Sequence, residues 1–575
     1  MKKKTNVCIA CLLAVGMTLN AYLPQLAGAK ATASSAQTKT VVSVADGTSF
    51  EKPEYEFSGM SGYNAADVAE VIDKVQNYWV TNKYTSGWDW LTATYHLGAL
   101  EAYQATGNIE YYNRTYDLAE NYGWLVYNGD KSTVCDAICT AQVYCMLHSL
   151  TAEEDGSMDY KLEDAIDIFD YNYEYGMMDY SWVDEIYMAG FSLTYLSGVT
   201  GDDKYTKLDY DTYMYYRERF FDEESWLWFR DWQFVPETGS GWANLDGAEK
   251  VLWSRGNTWV YVTLAQRMLY MDRNDPAYET YKNDFLMMSE GLKNVRREDG
   301  IWNVNLGDAS HKAGKEMTGT AGFLYGMCVG IDLGLLDADT YVPVVQKAYD
   351  TITTECIQES GLVGYCQPPA GSPSSYTTEE KLKNNTVSYG VGLTLMGLSR
   401  FMRLCSDYQA PTLTHESKAF DEDNAKLVVL DENWYKGPMI ASTDSTIKAY
   451  TSNLYNGIEN VVNGNWKSEN SGASFRCYGL KSNDITVYVD FAETVTLEKI
   501  AMILNASYAY NYTIDLSADG GATWTTAAQA TDTTKVYKKQ WTFEPTACNK
   551  ARITFKYTTT DLLWVREILF YESEL

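Results

Sequence analysis

Thr106-Gly107-Asn108-Ile109-Glu110-Tyr111 joins an apolar run to an aromatic-rich run, and the arrangement returns at Thr200-Gly201-Asp202-Asp203-Lys204-Tyr205. In both copies the glycine is placed to end one helix, because glycine readily adopts the left-handed conformation that closes a helix. A looser copy runs from Leu335 to Tyr341. The repeat predicts antiparallel helix pairs, which could form a solenoid or a closed toroid. The long spacing and the irregular loops between helices favour the toroid.

Helical periodicity extends over residues 61–405. Near its start, one apolar face is formed by Val68, Val71, Ile72, Val75 and Trp79. We therefore expect an all-α domain across 61–405.

The pattern changes after Cys405. Residues 485–491 alternate between apolar and polar side chains, and so do residues 512–517, as strands with one buried face do. Asp519-Gly520-Gly521 is typical of a hairpin turn. The pattern predicts a multidomain chain in which a linker at 406–425 leads to an all-β sandwich at 426–575.

The N-terminus has the features of an export signal. Lys2-Lys3-Lys4 precedes a short apolar run and the small residues Ala27-Gly28-Ala29. We expect a signal peptide at 1–29, a linker at 30–60 and secretion of a protein that does not span a membrane.

Composition restricts the partners and the chemistry. A net charge of −31 argues against nucleic acid or an anionic membrane as partner. The 17 Trp and 47 Tyr are typical of glycan-binding surfaces, although helical cores also use aromatic residues. The cysteines beyond the signal lack regular spacing, so we expect free buried thiols, with an occasional disulfide as the alternative. No metal or other cofactor is expected.

Trp253-Ser-Arg-Gly-Asn-Thr-Trp259 indicates a pocket for an acidic sugar. Indole faces bind sugar rings, and the planar guanidinium of Arg255 matches a carboxylate. Because the chain as a whole repels anions, such a pocket must supply its own cation.

Catalysis, if present, should rest on carboxylates, since the chain has only four His and lacks P-loop, HExxH and GxSxG motifs. Asp184 and Asp136 each precede an apolar helical run. Either one could be a proton donor with a raised pKa, or simply a helix N-terminal carboxylate stabilised by the helix dipole.

In chain order, a set of segments from about residue 65 to 405 resembles the unsaturated glucuronyl and rhamnogalacturonyl hydrolases of glycoside hydrolase families 88 and 105. Besides the Thr-Gly turns, the segments are Trp182-Val-Asp184 with Tyr187-Met188-Ala189, Leu227-Trp-Phe-Arg-Asp231, Trp253-Ser-Arg-Gly-Asn257 with Trp259, Asp299-Gly300 with Trp302, Thr318-Gly-Thr-Ala321, Gly364-Tyr365 with Gln367, and Tyr389-Gly-Val-Gly392.

The resemblance implies an (α/α)6 toroid that hydrates the C4=C5 double bond left by a polysaccharide lyase on a non-reducing uronate. It implies that Asp184 protonates C4 and then activates water, while Asp136 contacts sugar hydroxyls and influences the protonation of Asp184. The residues expected to bind substrate are Trp182, Arg230, Trp232, Trp253, Arg255, Asn257, Trp259 and His311. Many relatives carry a His where Arg230 or Asp231 stands, and Glu316-Met-Thr-Gly replaces the more usual Glu-Thr-Ser-Gly. These departures bear on the preferred sugar.

The C-terminal region resembles discoidin-type galactose-binding modules through Val462-Asn-Gly464 with Trp466, Tyr512, Ser517–Gly520 with Trp524, and Glu567-Ile568. This resemblance implies a glycan-binding module, with a structural spacer as the alternative.

The leading hypothesis is an exported hydrolase that acts on unsaturated oligosaccharides of the pectin or rhamnogalacturonan type. An inverting toroid glycosidase acting on a neutral glycan and a non-catalytic glycan-binding protein are the alternatives.

Overall fold

The computed structural model describes residues 57–84, 87, 89–126, 132–151, 159–175, 182–236, 248, 250–376, 378–413, 426–427, 475–478, 480, 484–504, 510–530, 538–558 and 562–572. The predicted signal peptide, most of the predicted linker at 30–60, and the Val462–Trp466 segment lie outside these residues. Within the described ranges, no helix combines the length and the apolar character that a membrane span requires.

The first part of the chain is helical. Its helices are α1 (Ala65–Asn82), α2 (Trp90–Thr106), α3 (Ile109–Asn121), α4 (Cys135–Ile138), α5 (Ala141–Thr151), α6 (Glu163–Tyr175), α7 (Asp184–Thr200), α8 (Lys204–Phe220), α9 (Ser254–Tyr270), α10 (Tyr278–Asn294), α11 (Met317–Asp332), α12 (Ala338–Thr351), α13 (Glu379–Leu382) and α14 (Ser388–Arg403). A short hairpin of β1 (Phe221–Asp222) and β2 (Leu227–Trp228) lies between α8 and α9.

Two kinds of helix alternate along this region. Helix α11 is buried on every side from Met317 to Ile331, whereas α1 buries one face through Val68, Ile72, Val75 and Trp79. The fully packed helices contact one another in the order α2, α5, α7, α9, α11 and α14, and α14 contacts α2. Helices α3, α8, α10 and α12 pack on α2, α7, α9 and α11. The prediction of paired helices is therefore confirmed.

The Thr-Gly turns end helices as expected. Gly107 and Gly201 follow α2 and α7 with φ values of 73° and 69°, and their N–H groups donate to Tyr103 and Ser197 carbonyls. Asn108 then caps α3 by accepting from the Glu110 N–H. A residue with a Cβ would be strained at the left-handed positions, so glycine there fixes the reversal between the paired helices.

Helices α2 and α14 lie backbone against backbone. A Cβ added to Gly98 would be 2.1 Å from the Gly392 carbonyl oxygen, and one added to Gly392 would be 2.2 Å from the Thr94 carbonyl oxygen. Beside this contact, Arg400 of α14 forms a bidentate ion pair with Glu101 of α2, at 2.9 and 3.0 Å. These contacts join the last of the fully packed helices, α14, to the first, α2, although the two are far apart in sequence.

The C-terminal part is an antiparallel sheet, as the alternation predicts. Its strands are β3 (Lys426–Leu427), β4 (Phe475–Tyr478), β5 (Ile485–Leu504), β6 (Asn511–Ser517), β7 (Thr525–Ala530), β8 (Lys538–Lys556) and β9 (Leu562–Glu572). They pair in the order β3-β9-β5-β8-β6-β7, with β4 also on β9. Since the described strands form one connected sheet, the two-layer sandwich stays a prediction.

Packing in the sheet follows the alternation. Ile485, Val487 and Val489 are fully buried and face a core shared with β6, β8 and β9. Gly520 and Gly521 form the predicted turn after β6, with φ values of 72° and 97°. Among the described residues, eight cysteines are free buried thiols: Cys135, Cys139, Cys145, Cys328, Cys356, Cys366, Cys405 and Cys548.

Candidate active site

Backbone pairing fixes the position of Asp184, the first residue of α7. Trp182 forms an antiparallel bridge with Asp231, and the Val183 N–H donates to the Arg230 carbonyl at 2.9 Å. The N-cap residue, Val183, makes no side-chain hydrogen bond that caps this end of the helix. Asp184 is consequently held at the helix start with only 8% of its surface exposed.

Arg230 is the cation beside Asp184. Its Nε lies 3.4 Å from Asp184 Oδ2, and neither atom has a hydrogen-bond partner among the described residues. The guanidinium carbon lies 5.1 Å from the ring centroid of Trp182 and 5.7 Å from that of Trp253. Burial opposes the charge of Arg230, but Asp184 and Asp231 outweigh it and raise the arginine's pKa. The pair therefore presents one unsatisfied acceptor and one unsatisfied donor between two indole rings.

Asp136, the second residue of α4, is part of the same charge cluster. Its pKa is raised to about 6, first by burial and then by the negative charge of Asp184, while Arg230 acts in the opposite direction. Asp89, which caps α2, adds a smaller repulsion. The structure thus brings the two predicted acids into electrostatic contact and gives one of them a pKa near neutrality.

Asp136→Asn should stabilise the fold near neutral pH. The folded-state pKa of Asp136 is raised to about 6, because the folded protein favours the neutral carboxyl group. The favourable contribution of Asp136 to the free energy of unfolding is therefore fully present below its unfolded-state pKa of about 4, and it is lost as pH rises through about 6. The variant should melt at a higher temperature than wild type at about pH 7.5, with the difference disappearing near about pH 4. Thermal melts by circular dichroism measure this; a constant difference at both pH values would contradict it.

Arg255 has a different environment from the one its motif suggests. It is 1% exposed, lies 4.4 Å from the Trp253 ring, and donates to the carbonyls of Gln367 and Pro368, both at 3.0 Å, and of Ala370 at 3.3 Å. These bonds hold the loop 367–371 against α9. Direct binding of a carboxylate by Arg255 stays a prediction, and the guanidinium that adjoins Asp184 belongs to Arg230.

Asn257 and Trp259 are also buried in the framework. Both have 0% exposure. The Asn257 amide binds the backbone N–H and C=O of Trp228, at 2.8 and 2.9 Å, and the Trp253 carbonyl. The Trp259 ring packs 4.7 Å from the Tyr187 ring. As placed, these two residues support the walls of the site, and their contact with substrate stays a prediction.

The remaining predicted residues flank the site. Trp182 is partly exposed, and Trp232, which follows Asp231, is 50% exposed. His311 is 8% exposed, and its Nδ1 lies 3.0 Å from the side-chain nitrogen of Asn305, whose backbone pairs with Trp253. The structure therefore brings Trp182, Arg230 and Trp253 to the acids, and places His311 behind Trp253.

Two polar residues that orient the site belong to segments of the family resemblance but were not among the predicted site residues. Asp231 is 2% exposed and accepts from Arg230 Nη1 at 2.8 Å. Gln367 accepts from the Trp253 indole N–H at 2.8 Å. Asp231 could have been suspected, because it stands next to the single cation of the Leu227–Asp231 segment. Gln367 is more than a hundred positions away from Trp253, and no local sequence pattern predicts that the two side chains meet.

Comparisons with known proteins identify the family of the helical region. Glycosyl Hydrolase Family 88 matches residues 65–405. A protein from Alteromonas sp. (strain LOR) named unsaturated 3S-rhamnoglycuronyl hydrolase is 24% identical over 52% of this chain and 69% of its own. One of the same name from Formosa agariphila is 30% identical over 39% of this chain and 58% of its own. A solved structure of a protein named a polysaccharide lyase is 29% identical, covers 59% of this chain and 97% of its own, and has a TM-score of 0.53. Since the family match spans more than half of the chain, this protein belongs to glycosyl hydrolase family 88.

Proposed function

We propose that the protein removes the 4,5-unsaturated uronate from the non-reducing end of lyase-generated oligosaccharides of the pectin or rhamnogalacturonan type. The observation that carries this proposal is the buried Asp184 carboxylate, whose Oδ2 has no hydrogen-bond partner among the described residues and lies 3.4 Å from Arg230. The relatives named unsaturated 3S-rhamnoglycuronyl hydrolases support the substrate class.

The proposed reaction is hydration of a vinyl ether. Asp184 gives its proton to C4, and the C4=C5 electron pair forms the new C–H bond, leaving positive charge on C5 and the ring oxygen. The resulting carboxylate then takes a proton from water as the water oxygen bonds to C5. The hemiketal opens by breaking its bond between C5 and the ring oxygen, and the hemiacetal at C1 then releases the next sugar. One carboxyl group serves both steps because donating its proton makes it the base.

Arg230 supports this chemistry by binding the uronate carboxylate. Its Nε lies 3.4 Å from Asp184 but has no hydrogen-bond partner among the described residues, so it is a suitable donor, and the nearby indoles of Trp182 and Trp253 match the faces of a sugar ring. A substrate carboxylate at Arg230 would also offset the positive charge beside Asp184.

The test follows the ultraviolet absorbance of lyase-generated unsaturated oligosaccharides. Wild-type enzyme should remove the band of the conjugated enol carboxylate, because hydration destroys the double bond. Since one structurally similar protein is named a polysaccharide lyase, intact polyuronate should be assayed in parallel. A rise in absorbance there would indicate a lyase, and a stable band on every unsaturated substrate would overturn the proposal.

Three further assignments belong to the proposal. The helical region is an (α/α)6 toroid, supported by the contact order that returns from α14 to α2. The C-terminal sheet is a discoidin-like sandwich that binds glycan, and pull-down on insoluble pectin tests that role. Residues 1–29 direct export, as their charged start and apolar run suggest, and N-terminal sequencing of secreted protein checks it.

A further inference from the structure

Asp231 has no role in the proposed reaction, yet it is one of the most confined carboxylates near Asp184. It is 2% exposed and accepts two hydrogen bonds at 2.8 Å, one from Arg230 Nη1 and one from the Gln233 N–H. Its backbone is paired with Trp182, two residues before Asp184. Asp231 is therefore tied both to the chain segment and to the cation that determine the surroundings of Asp184.

The Arg230 guanidinium is shared between two carboxylates. Its Nη1 binds Asp231, which leaves Nε 3.4 Å from Asp184. The bond to Asp231 keeps the planar group between the two indole rings, and a Cβ on Gly371 would already lie 3.2 Å from Nη1. The side chain has little room to turn, so the Asp231 bond selects which nitrogen faces Asp184.

We propose that Asp231 is a positioning residue: it holds the Arg230 guanidinium between the Trp182 and Trp253 rings and balances its charge where it meets Asp184. This inference rests on the proposed function, since Asp184 must carry a proton to begin the reaction. Without Asp231, the positive charge of the guanidinium 3.4 Å from Asp184 would lose one of its two neighbouring counter-charges.

Several other charged or titratable groups also act on this cluster. Asp136 and Cys135 lie on α4, Glu185 follows Asp184 on α7, and Asp89 stands at the start of α2. Glu185 is hydrogen-bonded by the Tyr216 hydroxyl of α8. Burial raises the pKa of Asp231, and Arg230 opposes that rise. All of these groups are unchanged in an Asp231 variant. A change in the pH profile of kcat on substitution of Asp231 therefore reports the loss of the Asp231 charge.

Asp231→Asn separates charge from shape. The asparagine oxygen can accept from only one of the two donors, Arg230 Nη1 or the Gln233 N–H, because Asp231 uses a different oxygen for each, and the negative charge is gone. The high-pH limb of kcat should move to lower pH, because the charge of Asp231 no longer offsets that of Arg230 in the site. KM should change little. Arg230→Gln should move the same limb to higher pH, and in that background Asp231→Asn should cause a smaller shift, because only the direct repulsion between Asp231 and Asp184 is then removed.

Asp284→Asn is the matched control. Asp284 is 1% exposed and binds Arg217 at 2.6 and 2.9 Å, outside the site. This variant should lose stability without moving the pH limb. The inference would be overturned if Asp231→Asn enzyme is active and the high-pH limb of its kcat profile has not moved. It would also be overturned if Asp231→Asn moves this limb equally in the wild-type and Arg230→Gln backgrounds. Either result would leave the proposed function intact.

A readout independent of activity completes the test. In a crystal structure of Asp231→Ala, the Arg230 guanidinium should leave the space between the two indoles; an unchanged guanidinium would overturn the positioning role. If wild-type enzyme consumes no unsaturated substrate, the proposed function fails. The crystal structure of Asp231→Ala would still show whether Asp231 positions the Arg230 guanidinium.

Discussion

Asp184→Asn is expected to lower kcat by about 10²–10⁴-fold on unsaturated oligosaccharides, the range found for loss of a general acid–base group. The substitution keeps the size and polarity of the side chain but removes the proton that, in the proposed mechanism, it donates to C4 and later recovers from water. KM should change less than kcat, because the Arg230 donor and the two flanking indoles are retained. Initial rates from the loss of enol-carboxylate absorbance measure both constants.

Loss of activity must be separated from loss of structure. Asp184 begins α7, so its charge also interacts favourably with the helix dipole, worth about 0.3–1 kcal/mol. The variant should therefore fold, with only a small drop in melting temperature. Asp337→Asn is the matched control, because Asp337 caps α12 on an exposed surface and asparagine caps helices equally well. That variant should retain wild-type rates.

Two outcomes would contradict the assignment. If Asp184→Asn retains most of the wild-type kcat, the proton donor is another group. If it is fully unfolded while Asp337→Asn is folded, Asp184 is needed for the structure of the helix start, and the experiment gives no support for catalysis.

Glu101→Gln is expected to destabilise the helical region by about 3–5 kcal/mol, the usual cost of removing one partner from a buried ion pair. Glu101 is 1% exposed and Arg400 is 6% exposed, and the Tyr325 hydroxyl of α11 also donates to Glu101 at 3.3 Å. Removing the carboxylate charge leaves the Arg400 guanidinium buried without a counter-charge. Urea unfolding followed by far-ultraviolet circular dichroism measures the change in the free energy of unfolding.

Two comparisons isolate the cause. The double variant Glu101→Leu with Arg400→Met removes both charges, so it should recover much of the lost stability. The exposed pair Lys207–Asp211, with both side chains 60% exposed, is the surface control. Lys207→Ala should cost about 0–1 kcal/mol. A Glu101→Gln effect as small as the Lys207→Ala effect would show that α2 and α14 are held together by apolar contact alone.

Much of the fold can be predicted from local signals. The glycines at 107 and 201 end helices for a reason contained in a single residue, since the left-handed conformation is easily reached without a Cβ. The alternation at Ile485, Val487 and Val489 likewise predicts a strand with one buried face. Such patterns are readable because the period of each element imposes them on the sequence.

The site was only partly predictable. The order of motifs identifies Asp184 and Asp136, and the structure adds that they interact and that Arg230 lies against Asp184. The seven-residue segment around Arg255 suggests a carboxylate ligand by its composition, whereas the structure buries that guanidinium among carbonyls of a loop more than a hundred residues away. Residue types show what a side chain can bind, but burial decides whether a substrate can reach it.

The sequence by itself determined the paired helices, the following sheet and the two acids near helix starts, because these depend on neighbours a few residues apart. Only the tertiary structure decided which cation adjoins Asp184, which pKa is raised, and that Glu101 meets Arg400. Those properties depend on distances between segments remote in the chain and on the low dielectric that surrounds them, and neither is recorded in local sequence.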